Sequence, residues 1–322
     1  MPKYRANLPL LSDRMFLTDS GLETTLIFHE GIELPFFAAF HLLKSDEGIR
    51  KLGRYYARHA AIAEAHGLGF ILESPTWRAS PDWGERLGYS LEELAEANRK
   101  AIELMVDLRE GCESARSPMV ISGCVGPRGD GYDPGRVMSA EEAEAYHAVQ
   151  IGVFADTEAD LVTAITMTNV PEAIGVTRAA AGAGMPVVIS FTLDTDGRLP
   201  TGETLKEAVL AVDQATGRAP LYYMINCAHP THFADVLASG EPWLTRLKGL
   251  RANASKRSHA ELDSAPDLDA GDPVELGRDY RRLLRHVPHV NVLGGCCGTD
   301  HRHVEAICLA CLPEPTRRTR AA

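Results

Sequence analysis

Asn291-Val292-Leu293-Gly294-Gly295-Cys296-Cys297-Gly298-Thr299 is an apolar run that ends in two glycines, two adjacent cysteines and a third glycine. A regular strand throws neighbouring side chains to opposite faces. Cys296 and Cys297 can therefore meet one ion only if the backbone leaves strand geometry at this point. Glycine permits that departure, because it tolerates φ > 0 and close backbone approach. A second apolar run far upstream, Tyr222-Tyr223-Met224-Ile225-Asn226-Cys227, also ends in cysteine. Cys227, Cys296 and Cys297 together would hold Zn²⁺ with one coordination position left open. Two other readings stand beside this one. The pair are buried thiols beside a tight turn, or they form a vicinal disulfide.

Working outward from that stretch, short apolar runs alternate with helix-like segments along the chain. The runs are Met15–Thr18, Phe70–Leu72, Met119–Ser122, Leu161–Ile165, Val187–Phe191, Leu221–Ile225, Leu247–Leu250 and Val290–Leu293. Helical patterns between them include Leu91–Leu108, Ala140–Phe154 and Leu205–Ala211, the last with Thr204 as its N-cap. Repeated β–α alternation calls for a parallel sheet covered on both faces. Eight repeats predict closure into a single (β/α)8 barrel, an α/β fold. An open doubly wound sheet is the alternative, and the chain has no Gly-x-Gly-x-x-Gly after the first run to support it. In such barrels the chemistry sits where strands end. Asp19, Cys227, Cys296 and Cys297 all follow predicted strands.

The motifs carry a resemblance. Gly-Gly-Cys-Cys-Gly-Thr at 294–299, with Asn226-Cys227, resembles the metal signature of the homocysteine S-methyltransferase family, and the likeness spans roughly residues 12–312. The resemblance implies one barrel domain, a three-cysteine zinc centre, methyl transfer to a thiol and a place in methionine biosynthesis. Thr18-Asp19-Ser20-Gly21-Leu22-Glu23 is similar to the family's first-strand loop, with Ser20 where a glycine is usual. Asp19 matches the acid that holds an amino-acid thiol, and Glu23 lies on the same loop. The plainer role for Asp19 or Ser20 is to cap the next turn. Glu73-Ser74-Pro75-Thr76-Trp77 resembles the family's second βα loop, where Thr76 and Trp77 are candidate pocket walls and ordinary packing is the plainer role for Trp77; Thr163 and Asn226 complete the candidate substrate set.

The fourth strand departs from the family pattern. Many members end it in Glu-Thr, and that glutamate helps bind the homocysteine ammonium group. Here Ala164 or Ile165 stands in its place. Arg251-Ala252-Asn253 likewise replaces an aromatic-Pro-Asn stretch. The resemblance therefore implies a thiol acceptor, homocysteine or a relative of it, without fixing which. It favours a small onium donor of the S-methylmethionine, S-adenosylmethionine or betaine type. Trp77, Trp83, Tyr132 and Trp243 are candidate cation–π partners for such a donor.

Other constellations compete as ligands. They are Cys124, the pair Cys308 and Cys311 on one face of a predicted helix, His229 with His232, and His301 with His303. The polar segment 253–273 reads as a lid or surface excursion after the seventh strand. A zinc hydrolase or lyase, an enzyme acting on another thiol or selenol, and a thiol redox sensor are the competing functions.

Composition limits the classes further. A net charge of −11 argues against nucleic acid or an anionic membrane as partner. No apolar run reaches the roughly 20 residues needed to span a bilayer. Seven cysteines, an odd and uneven set, predict reduced thiols in a cytoplasmic protein. Arg317-Arg318-Thr319-Arg320 reads as a short basic tail over 313–322. Homo-oligomerisation is left open.

Overall fold

The structure is a computed structural model that describes residues 1–263, 265 and 267–312. The basic tail over 313–322 lies outside them. Eight parallel strands pair in sequence order, and the last closes onto the first. They are β1 (Phe16–Leu17), β2 (Gly69–Glu73), β3 (Met119–Val125), β4 (Leu161–Met167), β5 (Val187–Thr192), β6 (Tyr223–Asn226), β7 (Leu247–Ala252) and β8 (Val292–Gly295). This is the (β/α)8 barrel, not the open sheet. β6 and β8 start two residues later than the apolar runs predict, because hydrogen-bond pairing, not side-chain apolarity, sets where a ladder begins. β8 accordingly runs through both glycines.

A long helix follows each strand. Asp46–His66, Leu91–Cys112, Ala140–Ala155, Val170–Gly182, Leu205–Thr216, Pro230–Ala238, Pro273–Leu283 and His301–Cys311 form the outer ring. Reciprocal capping boxes start several of them, at Ser90 with Glu93, Ser139 with Glu142 and Thr204 with Glu207. Gly217, at φ 60°, ends the fifth helix of the ring in the left-handed conformation that glycine adopts most readily.

The barrel interior has two levels. Phe16, Val120, Leu161, Val188, Tyr222 and Val292, all from strand starts, pack with Leu8 and Leu10 into an apolar floor. One step toward the strand ends, the same inward parity brings Glu73, Ser122, Thr163, Ser190, Asn226 and Arg251, all buried. A polar layer therefore rests on an apolar plug, directly below the βα loops. Burying so many polar groups is tolerable only when they pair with one another.

Candidate metal centre

Cys227 leaves β6 with φ 53°, so its side chain does not continue the strand alternation. Thr166 on β4, two strands round the barrel, is also left-handed, with φ 66°. For residues other than glycine this conformation costs on the order of 1–2 kcal/mol each. One amide joins the two. Asn226 Oδ1 accepts the Thr166 backbone N–H at 3.0 Å and the Ser190 hydroxyl at 2.6 Å. Its Nδ2 donates to Thr166 Oγ1 at 2.9 Å and lies 3.9 Å from Cys296 Sγ. The carboxamide that the sequence offered as a substrate contact is engaged with protein groups on both sides.

At the other sulfurs, the two glycines do what the sequence required of them. A Cβ on Gly294 would collide with the Thr18 hydroxyl, and one on Gly295 with the Thr299 hydroxyl. Only bare backbone fits where β8 meets β1 and its own following turn. Cys296 then donates its N–H to Ala252 O at 2.9 Å, and Cys297 O accepts from Ala254 N at 3.0 Å. The turn closes with the Thr299 hydroxyl on Cys296 O at 2.6 Å.

The outcome is a cluster. The sulfurs of Cys227, Cys296 and Cys297 all lie within 4.8 Å of one another, and Cys227 and Cys297 are 3.7 Å apart. It is the one His/Cys/Asp/Glu group of metal-binding geometry among the described residues. All three cysteines are free thiols, which sets aside the vicinal disulfide in this structure. Hydrogen bonds from Cys296 and Cys297 hold the Cys227 thiol well below the ordinary thiol value.

The profile of the family described as Homocysteine S-methyltransferase matches residues 16–311. The chain belongs to the homocysteine S-methyltransferase family. Family membership makes it an enzyme of the methyltransferase class. A selenocysteine Se-methyltransferase of Brassica oleracea var. italica is 24% identical, over 90% of this chain and 87% of the relative. Homocysteine S-methyltransferase 2 of Arabidopsis thaliana is 23% identical, with 90% of each chain covered. Among solved structures, the oxidised form of the homocysteine methyltransferase MmuM from Escherichia coli superposes with a TM-score of 0.72. It is 19% identical, and the match covers 95% of this chain and 99% of that one. The metallated form of the same enzyme gives a TM-score of 0.68 at 19% identity, covering 92% and 96%. These structural likenesses establish the fold.

The other residues singled out by the family resemblance fall into distinct places. Asp19 is buried, and both its oxygens already accept hydrogen bonds. Arg251 Nη2 reaches Oδ1 at 2.6 Å, and the Tyr55 hydroxyl reaches Oδ2 at 3.1 Å. Ser20, in place of the usual glycine, bonds His59 Nε2 at 2.8 Å, which ties this loop to the first long helix. Glu23 stands close enough to Cys296 and Arg78 to feel both charges, and burial pushes its carboxyl up to about 7. Thr76 is fully buried and donates to Cys124 O at 2.7 Å. Thr163 shares a hydroxyl contact with Ser122 at 2.8 Å, inside the polar layer.

The competing ligand sets lie outside the cluster. Cys124 packs below the mouth beside Glu73. Cys308 is buried in the outer core, as the predicted helix face requires. His229 is the N-cap of the helix that follows it, His303 lies in the first turn of the last helix and accepts the Asp300 N–H on Nδ1 at 3.1 Å, and His232 bonds Lys256 O at 3.0 Å.

Of the four aromatics proposed for an onium donor, two already carry cations. The Arg78 guanidinium sits 4.0 Å from the Trp77 ring and 3.8 Å from the Trp83 ring. Trp243 is buried in the outer core. Tyr132 alone reaches the sulfurs, with its hydroxyl 3.0 Å from Cys297 and 3.6 Å from Cys227. Its ring stacks on His259 at 3.6 Å between centroids. His259 begins a short helix, His259–Asp263, within the 253–273 excursion. Two loops thus meet over the cysteines, and an open cleft of about 310 Å³ lies to one side, lined by His229, Ala254, Asp269 and Glu275 among others.

The sequence reading missed Glu73, Arg78 and Arg251. The signal for Arg251 was its parity. In Gly249-Leu250-Arg251-Ala252 the arginine shares the inward phase of Gly249. No helix among the described residues is long and apolar enough to cross a membrane.

Proposed function

We propose that the chain is a zinc-dependent S-methyltransferase that moves a methyl group from a small onium donor to homocysteine or a related thiol. In this reading Cys227, Cys296 and Cys297 hold Zn²⁺. The supporting observation is their convergence. Tetrahedral zinc with Zn–S bonds of about 2.3 Å separates its sulfurs by about 3.8 Å. The Cys227–Cys297 distance of 3.7 Å fits that spacing, and a set of three soft donors suits zinc. Zinc bound here would supply Lewis acidity that keeps an incoming thiol deprotonated near neutral pH.

The rest of the work falls to the chain. Asn226 fixes the position of Cys296 through a side chain that has no freedom left. Such outer contacts keep ligand sulfurs in place before any substrate arrives. Tyr132, stacked on His259, stands over Cys227 and Cys297 and forms one wall of the approach to the sulfurs, while Cys296 and Cys297 remain partly exposed. Displacement of a neutral leaving group from an onium donor needs no protein base, and none is assigned. Orientation of the acceptor sulfur in line with the methyl carbon is what the barrel mouth would contribute.

A selenol acceptor is kept as a second reading, because one relative is named for selenocysteine. Donor, acceptor and metal are tested together. The zinc-loaded chain is assayed with S-methylmethionine, S-adenosylmethionine and betaine against homocysteine and selenocysteine, with Cys297→Ser as the blank. Methylated product that requires both zinc and Cys297 supports the reading. A chain that retains no zinc, or methylates no thiol or selenol, contradicts it.

A further inference from the structure

The barrel mouth carries one half-buried carboxylate that no other side chain uses. Glu23 lies in the turn Leu22–Thr24 that follows β1. Its neighbours pack that turn onto the turn of the cysteines. Gly21 N donates to Thr299 O at 3.2 Å, and a Cβ on Gly21 would stand 2.7 Å from Cys296 O. Gly298 N donates to the Thr24 hydroxyl at 3.1 Å. Glu23 is thereby held beside Cys296, close enough to feel the charge of that sulfur. Among the described residues, only its own backbone N–H bonds its carboxylate, and no cation forms an ion pair with it.

The neighbouring acids differ from it. Asp19 meets the Arg251 guanidinium at 2.6 Å and the Tyr55 hydroxyl at 3.1 Å, so its charge is already balanced. Glu73 keeps one oxygen unpaired, but the residue is sealed beneath the mouth with Arg251 3.8 Å away. On β4, where the family resemblance implies an acid for the acceptor's ammonium group, Ile165 presents an apolar side chain. An α-amino thiol still brings that ammonium with it, a short chain away from the sulfur. Burying the cation unpaired costs several kcal/mol, whereas a carboxylate within hydrogen-bond reach offsets that cost. Burial is also what raises the Glu23 carboxyl, and an arriving cation offsets this cost from the other side.

We propose that Glu23 is the specificity-determining acid of this chain, receiving the acceptor's ammonium group in place of the acid missing from β4. The acceptor class is an α-amino thiol or selenol, bound with its ammonium toward the loop after β1 and not toward β4. This rests on the site being a zinc thiol methyltransferase and adds the residue that reads its acceptor.

The test is equilibrium binding to the zinc-loaded chain, followed calorimetrically without donor. Homocysteine is compared with its des-amino analogue mercaptobutanoate, in the wild type and in E23Q, with zinc content measured in both. The wild type is expected to bind homocysteine at least about tenfold more tightly than mercaptobutanoate. E23Q keeps the shape of the side chain and removes its charge. It should bring the two affinities within about threefold of each other, by weakening homocysteine while mercaptobutanoate and zinc content stay as they were. A merely structural role for Glu23 would weaken both ligands alike. That outcome, an unchanged preference in E23Q, or a wild type with no preference for homocysteine overturns the assignment of Glu23 alone. A wild-type chain that takes up no zinc, or binds neither ligand, overturns the reading of the site with it.

Discussion

The sulfur side and the charged side of this barrel mouth were built under different constraints. On the sulfur side, Cys227, Cys296 and Cys297 converge through the ends of β6 and β8, one strand apart, two glycines that admit no side chain and one locked asparagine. On the charged side, β1, β2, β4 and β7 contribute Asp19, Glu73, Ile165 and Arg251, and two of these depart from what the family resemblance implies. The sulfur side has no slack, since moving any ligand dismantles the cluster. The charged side rests on the apolar floor of Phe16, Val120, Leu161, Val188 and Val292, and its side chains can change without moving that floor.

Substitutions that separate the two sides should differ in kind. The largest effect belongs to the sulfurs. Cys296→Ser or Cys297→Ser should abolish stoichiometric zinc and lower methyl transfer by about 10³-fold or more, read by metal analysis and product formation. Next, R251Q should cost about 3–5 kcal/mol of unfolding free energy, because it leaves Asp19 buried without its cation. D19N/R251Q should cost much less than the sum of the two single variants, and thermal or denaturant melts measure that coupling. Asn226→Ala should weaken zinc about 10–100-fold in chelator competition with little change in fold.

The smallest effect is a pH dependence on the charged side. Burial pushes Glu73 up to about 7, with Arg251 opposing that rise. A carboxyl raised in the folded state favours folding while protonated. Its contribution is fully present below its unfolded value and is lost as pH rises through about 7. E73Q should therefore flatten the decline in stability between about pH 5 and 8, by about 1–2 kcal/mol. A wild-type stability curve that rises across this window would contradict the burial assigned to Glu73.

These two sides also differ in how far the sequence alone exposes them. Cys296 and Cys297 are adjacent, bracketed by glycines and preceded by an apolar run, so local chemistry reveals their place and the departure from strand geometry there. Cys227 shares the Asn-Cys ending and an eight-strand count that makes β6 and β8 near neighbours. Asp19 was visible as a strand-end acid, but its engagement was not. Its partner Arg251 lies far along the chain, and nothing local to either residue announces the pair. Thr76 and Asn226 look like free polar groups in the sequence, and only the folded barrel shows them turned to backbone and side-chain partners. Tyr132 was visible as an aromatic, yet its contact with the sulfurs depends on the path of a loop rich in glycine and proline. Long-range pairing and loop trajectory are the parts that periodicity does not encode.

The central claim is that three cysteines from two strand ends hold one ion. X-ray absorption at the zinc edge, on protein loaded with zinc and freed of excess metal, tests it most directly. The expected result is one zinc per chain with three sulfurs at about 2.3 Å. A first shell of nitrogen and oxygen, or protein that emerges without zinc, would contradict it.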